Sequence, residues 1–314
     1  MPSPSDIRQQ ITNTIVAALE AGGLPPWRQP WQSSKNSGSP VNVISKKNYS
    51  GVNPLLLQIS AQHHEFQSRH WATFQQWKQL GGSVMRRPDH VSPGKWGTTI
   101  VFCRPVTKTE TDPDGEETET MKGMILRSYT VFNIDQVEGE HLDHLRAGMD
   151  TLEDSEVEER FEEADRIVAA TNADIHFGSD RAYYNVAGDY IAMPHRSQFS
   201  LPEFHQTLFH EMVHWTEAPR RLNWDRKLPA NTYACGELIA ELGGCFLASE
   251  VGIPVAENMT NHLAYLQHWI DALKSDPKFI FKVASQASRA VDFILSFSRT
   301  TADLTEAIDE LVMV

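Results

Sequence analysis

Two histidines that flank a glutamate form the sequence feature best suited to chemistry. His210, Glu211 and His214 stand in the order HExxH, and residues four apart on a helix share one face. Two imidazoles on one face can bind a single Zn2+ ion, and the intervening glutamate is then placed to act as a general base. Chance gives about 0.04 such matches in a chain of this composition. The motif therefore predicts a catalytic metal site rather than two surface histidines.

A catalytic zinc needs a third protein ligand. The metzincin spacing is excluded, because the chain has Glu217 and Arg220 where that spacing requires glycine and histidine. Downstream, Glu237 and Glu241 lie four apart in a helical pattern, which is a gluzincin-like arrangement. We predict that Glu237 is the ligand and that Glu241 orients a ligand histidine, and the reverse assignment stays open. Zn2+ is the predicted metal, with Mn2+ as the alternative.

This residue set is typical of peptide hydrolysis, in which a metal supplies Lewis acidity and Glu211 moves the proton from water to the leaving amine. Whether peptidase activity is present stays open. The strand-like segment DYIAM, residues 189–193, is predicted to form the edge of the substrate cleft. Further donors could come from four side chains, each better suited to a structural role than to a catalytic one: Tyr233, His262, Tyr265 and His268.

The elements that position these residues are predicted from periodicity and caps. Ser200 and Glu203 form a capping box that begins a helix ending near Trp215, and three short strand-like segments precede it: ADIHF, AYYNV and DYIAM. Upstream we predict a helix over residues 5–21, an irregular arm over 27–42, helices beginning at Pro54 and Phe74, and a long hairpin built from residues 96–106 and 124–134.

The chain is predicted to form two α+β domains. Its 314 residues, 40% hydrophobic and 22% charged, are typical of a globular protein of that size. Residues 139–171 are acidic and helical in pattern, so we place a nucleic-acid-binding domain at 1–140 and a zincin-like, gluzincin-type domain at 141–314. No segment reaches membrane-spanning length and the amino terminus does not resemble a secretory signal, so a cytoplasmic protein without a membrane partner is expected.

Charge is distributed unevenly along the chain. Residues 1–135 contain 14 basic and 11 acidic residues, a net charge of +3, whereas residues 136–314 carry a net charge of −16. Six of those 11 acids lie in one predicted loop, residues 110–119. The first region also holds five of the eight tryptophans, and basic charge interleaved with aromatic rings is typical of proteins that bind single-stranded DNA. DNA is therefore expected on the first domain, and a protein substrate in the acidic second domain.

Dispersed segments of the sequence resemble plasmid antirestriction proteins of the ArdC type. In the first half these are NYSGVNPLLL, WATFQQW, GKWGTTIVF and YTVFNIDQVEG, the last of which resembles the family's FNxxQ signature. In the second half they are HEMVHWT, ELIAELGGCFL and residues 262–295. The resemblance implies an N-terminal domain that binds single-stranded DNA and a C-terminal zincin-like metallopeptidase domain. It also implies that the protein binds DNA without sequence preference and thereby protects entering DNA from host restriction.

Carried over by position, the family's metal ligands fall on His210, His214 and Glu237, and its general base falls on Glu211. The chain departs from the family where it has Gly236 before Glu237, a place where the family often has two glutamates. The resemblance does not supply DNA contacts. Those are predicted from charge and expected exposure alone: Trp27, Arg28, Trp31, Lys46, Lys47, Tyr49, Arg86, Arg87 and Lys95.

Three functions stay open at this point. The first is a metalloprotease, brought to DNA by its first domain, that cuts a host restriction enzyme or another DNA-processing protein. The second is a protein that coats single-stranded DNA sterically while the metal is structural and not catalytic. The third, a nuclease or primase accessory, is disfavoured because the sequence has neither a P-loop nor a recognisable polymerase carboxylate cluster.

Overall fold

The computed structural model describes residues 3–22, 25–28, 34–36, 38–111, 117–146, 152–224, 232–253 and 263–299. Trp31 and His262 lie outside these ranges, and the side chain of Tyr233 lies outside the described part of the structure. The α-helices of the described residues are α1 (Pro4–Glu20), α2 (Asn53–His64), α3 (Phe74–Gln79), α4 (Asp154–Ala170), α5 (Leu201–Trp215), α6 (Thr232–Val251), α7 (Leu263–Ser275) and α8 (Phe279–Leu295). The strands are β1 (Val41–Asn42), β2 (His70–Thr73), β3 (Ser83–Val84), β4 (Thr98–Thr111), β5 (Glu117–Asn133), β6 (Val137–Glu138), β7 (Ile175–Phe177), β8 (Tyr183–Asn185) and β9 (Tyr190–Met193).

Local sequence signals account for where the first helices begin. α1 starts at a capping box in which the Ser3 hydroxyl and the Asp6 carboxylate each accept from the other's backbone N–H. Its apolar residues at helical spacing, Ile7 to Leu19, are buried. α3 starts at a second capping box, between Thr73 and Gln76. The predicted starts of these helices are therefore confirmed to within one or two residues. The helical pattern over residues 139–171 corresponds instead to a 3-10 segment, Glu140–Leu145, and to α4, which begins only at Asp154.

The first sheet is built around the predicted hairpin. Its strand order is β1-β2-β5-β4, with β1 parallel to β2 and the other pairs antiparallel. β4 and β5 pair from Thr98 opposite Val131 to Thr111 opposite Glu117. The hairpin is confirmed, and it is longer than predicted because the polar, threonine-rich residues beyond Val106 continue the ladder.

The second sheet has three strands in the order β7-β9-β8. β9 contains most of the DYIAM segment and is hydrogen-bonded on both sides, parallel to β7 and antiparallel to β8. The prediction that this segment forms the edge of a substrate cleft is therefore wrong, since a central strand has no backbone groups left to pair with a substrate.

The largest hydrophobic core is shared by both halves of the chain. α1 packs against α7, and Ile11 and Ile15 join the same buried cluster as Leu238 and Ile280. Further links cross between the halves, among them Thr12 Oγ1 donating to the carbonyl of Pro277 at 3.1 Å. The architecture is thus α+β with two domains in extensive contact.

The segment after the first sheet packs with the first domain. Leu142 and Leu145, in the 3-10 segment Glu140–Leu145, join a buried cluster with Trp77 and Ile134. The exact division at residue 140 remains a prediction, and this packing associates residues 140–145 with the first domain.

Candidate metal centre

α5 presents the HExxH motif on one face. The helix begins at the predicted capping box, where Ser200 and Glu203 bond each other's backbone N–H. One turn apart, the rings of His210 and His214 have centroids separated by 4.9 Å. His205, on the same helix, has a different role, because its ring nitrogens bond the carbonyl of Leu201 and the carboxylate of Asp165 at 2.9 Å each.

α6 lies unusually close to α5 and carries both predicted glutamates. A Cβ at Gly243 would lie 2.7 Å from Val213 Cγ2, and one at Gly244 would lie 3.2 Å from the backbone nitrogen of His210. Only glycine fits this approach without displacing a neighbour. The close crossing brings Glu237 and Glu241 beside the histidines.

Glu237 contacts both histidines of the motif. Its Oε2 lies 3.5 Å from His210 Nε2, and its Oε1 lies 3.6 Å from His214 Nε2. One ligand atom from each of the three residues can be chosen so that all lie within 4.8 Å of one another. Two imidazole nitrogens and one carboxylate oxygen form a donor set typical of catalytic zinc sites, so the residues fit a divalent metal.

The remaining ring nitrogens each face a carboxylate. His214 Nδ1 is hydrogen-bonded to Glu217 Oε1, and His210 Nδ1 lies 4.0 Å from Glu241 Oε2. Such outer carboxylates fix the orientation of metal-binding histidines and raise their basicity. Glu241 lies beside His210, but 4.0 Å is beyond the distance of a direct hydrogen bond, so its orienting role stays a prediction. Glu217 was missed. The position of Glu217 three residues after His214, in the turn that follows α5, was the available signal.

Glu241 is itself held by residues of the first domain. Arg28 Nε and Nη2 bond its two carboxylate oxygens, the latter at 2.8 Å, and Trp27 Nε1 donates to Oε1 at 3.2 Å. Burial alone would lower the pKa of the Arg28 guanidinium, but the bonded Glu241 raises it above its ordinary value. Trp27 and Arg28 are 2% and 4% exposed. Their predicted role in DNA contact is therefore wrong, because that prediction assumed they were exposed.

The electrostatics of the site favour a bound cation. Burial alone would lower the pKa of His210, but a hydrogen bond to Glu237 and the charges of Glu211 and Glu241 raise it above its ordinary value. Glu211 is buried at 7% exposure and lies one residue from His210 on the same helix. A cluster of carboxylates that stabilises a protonated imidazole also stabilises a metal ion in its place.

A small cavity lies beside this centre. It has a volume of about 110 Å³ and is lined by Leu222, Asn223, Trp224, Gln286 and Arg289. The Trp224 ring is tilted against His214 at 6.1 Å between centroids. Within the described part of the chain, the buried Oε1 of Gln286 has no hydrogen-bond partner.

The other donors considered for transition-state stabilisation are less well placed. Tyr265 stacks on Trp269 at 6.1 Å between ring centroids, and His268 is exposed on α7. Neither belongs to the cluster of ligand atoms described above. Tyr233 and His262 lie among the side chains that the structure does not describe.

The remaining residues that were predicted to contact DNA fall into an exposed group and a half-buried group. Lys46, Arg86 and Lys95 are exposed. Lys47, Tyr49 and Arg87 are half-buried. Asn42 donates to the Tyr49 hydroxyl, and burial raises the pKa of Tyr49 to about 12. Arg87 bonds the carbonyls of Pro88 and Val91, so its guanidinium is already engaged within the protein.

Sequence reasoning missed an exposed stripe on the hairpin. Ile125, Arg127 and Tyr129 alternate along β5, and Phe102 lies opposite Arg127 on β4, so the four side chains share one face. Of the apolar members, Ile125 is 43% exposed, Tyr129 is 41% exposed and Phe102 is 37% exposed. The alternation of these residues was visible in the sequence, but alternation alone does not tell which face of a strand is buried. We call this surface the hairpin stripe.

Comparison with known proteins assigns both halves of the chain. Residues 5–132 match the family model for the N-terminal domain of anti-restriction factor ArdC, and residues 162–286 match the model for a zincin-like metallopeptidase. The zincin-like fold of the second domain is thus established. None of the helices in the described ranges is long and apolar enough to cross a membrane.

Solved structures and curated relatives extend over most of the chain. The metal-free crystal structure of antirestriction protein ArdC from plasmid R388 matches with a TM-score of 0.71 and 35% identity, covering 93% of this chain and 98% of that one. Its Mn(II)-bound structure matches with a TM-score of 0.69 and 34% identity, covering 94% and 99%. An uncharacterized protein y4eC of Sinorhizobium fredii is 31% identical over 93% of this chain and 92% of its own length. DNA primase TraC of Escherichia coli is 32% identical over 93% of this chain, which spans only 27% of the primase.

Proposed function

Because the chain belongs to the ArdC family of antirestriction proteins, we propose that it binds single-stranded DNA without sequence preference and protects incoming DNA from host restriction. We further propose that its second domain is a metal-dependent peptidase directed at a host restriction enzyme or another DNA-processing protein. The observation that carries the second part is the meeting of His210, His214 and Glu237 beside the buried Glu211.

In this proposal the metal is held by His210, His214 and Glu237, with Zn2+ or Mn2+ as the ion. When bound, it supplies Lewis acidity at the scissile carbonyl. Glu211 takes the proton from the attacking water and delivers it to the leaving amine. Glu217 and Glu241 hold the two imidazoles in orientation.

The peptidase proposal is tested with Glu211→Gln, which keeps the size of the side chain and removes the base. We expect metal binding to stay within a few-fold of wild type and metal-dependent cleavage of a mixed peptide library to be lost. If wild type cleaved the library no faster than Glu211→Gln does, that result would contradict peptidase chemistry at this site.

The hairpin stripe is the surface that we assign to single-stranded DNA. Tyr129 and Phe102 offer rings on which bases can stack, and Arg127 lies between them to meet a phosphate. The stripe is distant from the acids of β5. The nearest of them along the strand, Glu119, is six residues from Ile125, about 20 Å at the rise of a strand, which exceeds the Debye length of about 8 Å at physiological salt.

This assignment is tested by titrating labelled oligothymidine into full-length variants at several salt concentrations. Tyr129→Ala should weaken binding by about 1–3 kcal/mol, the usual contribution of one stacked base. Arg127→Glu should flatten the plot of log affinity against log salt by about 0.7, the value for one phosphate contact on a single strand. Arg166→Glu, on the acidic second domain, is the matched control. An unchanged salt slope in Arg127→Glu would exclude the stripe.

A further inference from the structure

The buried carboxylate of Glu241 is the feature of the second domain that depends most on the first. Arg28 and Glu241 are separated by 213 residues in sequence, and their side chains are 4% and 1% exposed. The guanidinium bonds both oxygens of the carboxylate. Trp27 Nε1 also donates to Oε1, so the carboxylate accepts three bonds in all. A fork of this kind fixes the plane of a carboxylate as well as its position.

The position of Arg28 is itself fixed by packing of the neighbouring residues. Trp27 lies 6.2 Å from Trp269 of α7 between ring centroids and is 2% exposed. The 3-10 turn Pro26–Arg28 packs against α2 and α6. The guanidinium is therefore held by both domains rather than by a mobile arm.

The carboxylate of Glu241 also faces the candidate metal centre. Its Oε2, which accepts from Arg28 Nη2, lies 4.0 Å from His210 Nδ1, beyond the distance of a direct hydrogen bond. His210 Nε2, at the other end of the same ring, faces Glu237 at 3.5 Å. Arg28, Glu241, His210 and Glu237 thus lie in a line of polar groups from the first domain to the ligand atoms.

We propose that Arg28 is a positioning residue of the metal centre, which fixes Glu241 beside His210 Nδ1 so that His210 Nε2 faces the metal. The inference rests on the proposed metal site and adds to it that the first domain completes the centre. Without the guanidinium, the carboxylate loses the fork that sets its plane. The imidazole then loses a fixed partner, a change that typically costs about 10-fold to 100-fold in metal affinity.

A purely structural role makes a different prediction. Removal of one member of a buried ion pair destabilises a protein whatever else the pair does. A loss of protein stability alone therefore cannot show that Arg28 positions the metal centre. The metal affinity of the folded protein can show it, because weakening a purely structural ion pair would leave the dissociation constant of the metal unchanged.

The test titrates Mn(II) and Zn(II) salts separately into metal-free, full-length protein and measures the dissociation constant. Arg28→Met should raise it by about 10-fold to 100-fold. Arg28→Lys, which keeps the charge but loses the fork, should give a smaller increase. Lys78→Met removes an exposed cation of the same domain and should leave the constant unchanged. Equal affinity in folded Arg28→Met and wild type would overturn the proposal.

A double-mutant cycle keeps the proposal testable if Arg28→Met folds poorly. Adding Glu241→Gln to Arg28→Met removes the uncompensated charge. Both residues act through one carboxylate, so the double variant should bind metal no more weakly than Glu241→Gln alone. Fully additive losses would overturn the proposal. Wild-type protein that binds neither metal would instead refute the proposed metal site itself, which separates the two failures.

Discussion

At the scale of single residues, each ring of the HExxH motif presents one nitrogen to Glu237 and the other to an outer carboxylate. The HExxH spacing could be predicted from the sequence because one helical turn determines it. The outer partners were harder to find. Glu217 lies in the turn that follows the same helix, but the chain contains many glutamates and the contact of this one with His214 appears only when that turn is built.

The first residue-scale prediction concerns Glu217. Glu217→Ala should weaken metal binding by about 10-fold to 100-fold, because His214 loses the carboxylate bonded to its Nδ1. Isothermal titration with Mn(II) measures the change. Glu158→Ala, on the exposed surface of α4, is the control and should bind as wild type does. If the two variants bound metal equally well, Glu217 would have no orienting role.

The second residue-scale prediction concerns pH and His70. Burial, together with the charges of Arg69 and Lys46, lowers the pKa of His70 to about 4, although its bond to the carbonyl of Leu145 raises it. The unfolded chain, with an ordinary value of 6.5, then binds more protons than the folded chain between these two values. The contribution of His70 to the free energy of unfolding is therefore fully present above about pH 6.5 and is lost as the pH falls towards 4.

Chemical denaturation at pH 7 and pH 4.5 tests this linkage. His70→Gln should lose less unfolding free energy between the two pH values than wild type loses. His268→Gln, which alters an exposed histidine, should lose as much as wild type. An identical pH dependence in all three proteins would show that His70 does not titrate in this window.

At the scale of elements, the site depends on how closely α6 approaches α5. The caps of α1, α3 and α5 and the β-hairpin could be predicted because their signals lie within a few residues of one another. The central position of β9 could not, because strand order depends on contacts distant in sequence. Gly243 and Gly244 looked like ordinary packing residues until the crossing itself was visible.

Two glycines of α6 provide the element-scale prediction. Gly236→Ala meets nothing within 4 Å and should stabilise the protein by up to about 1 kcal/mol through helix propensity. Gly243→Ala gains the same propensity but puts a methyl group 2.7 Å from Val213 Cγ2, and overpacking typically costs about 1–3 kcal/mol. Urea denaturation should therefore rank Gly236→Ala above Gly243→Ala. Equal stabilisation by both substitutions would contradict the close crossing.

At the scale of the whole molecule, two domains of unlike charge share one hydrophobic core. The uneven charge was evident from the sequence, since it needs only counting. The shared core and the Arg28–Glu241 pair were not, because they join residues more than 200 positions apart. Arg28 was predicted to contact DNA because a basic residue in a polar segment gives no sign of a buried partner.

The shared core predicts that the described domains unfold together. Calorimetry of the full chain should give one transition, and metal at about 100 times its dissociation constant should add about 2.7 kcal/mol to the unfolding free energy. The whole transition should move, because α1 packs on α7 and Arg28 bonds Glu241. Two transitions, of which metal moves only one, would show that the domains unfold independently.

The central claim is that protection of incoming DNA depends on chemistry at Glu211. The most direct measurement is the survival of unmodified DNA entering a restricting host that carries wild type or Glu211→Gln, at equal expression and equal metal content. The account predicts that Glu211→Gln loses protection while its affinity for single-stranded DNA is unchanged. Full protection by Glu211→Gln would contradict it and would support a protein that shields DNA by coating it, with the metal centre in a structural role.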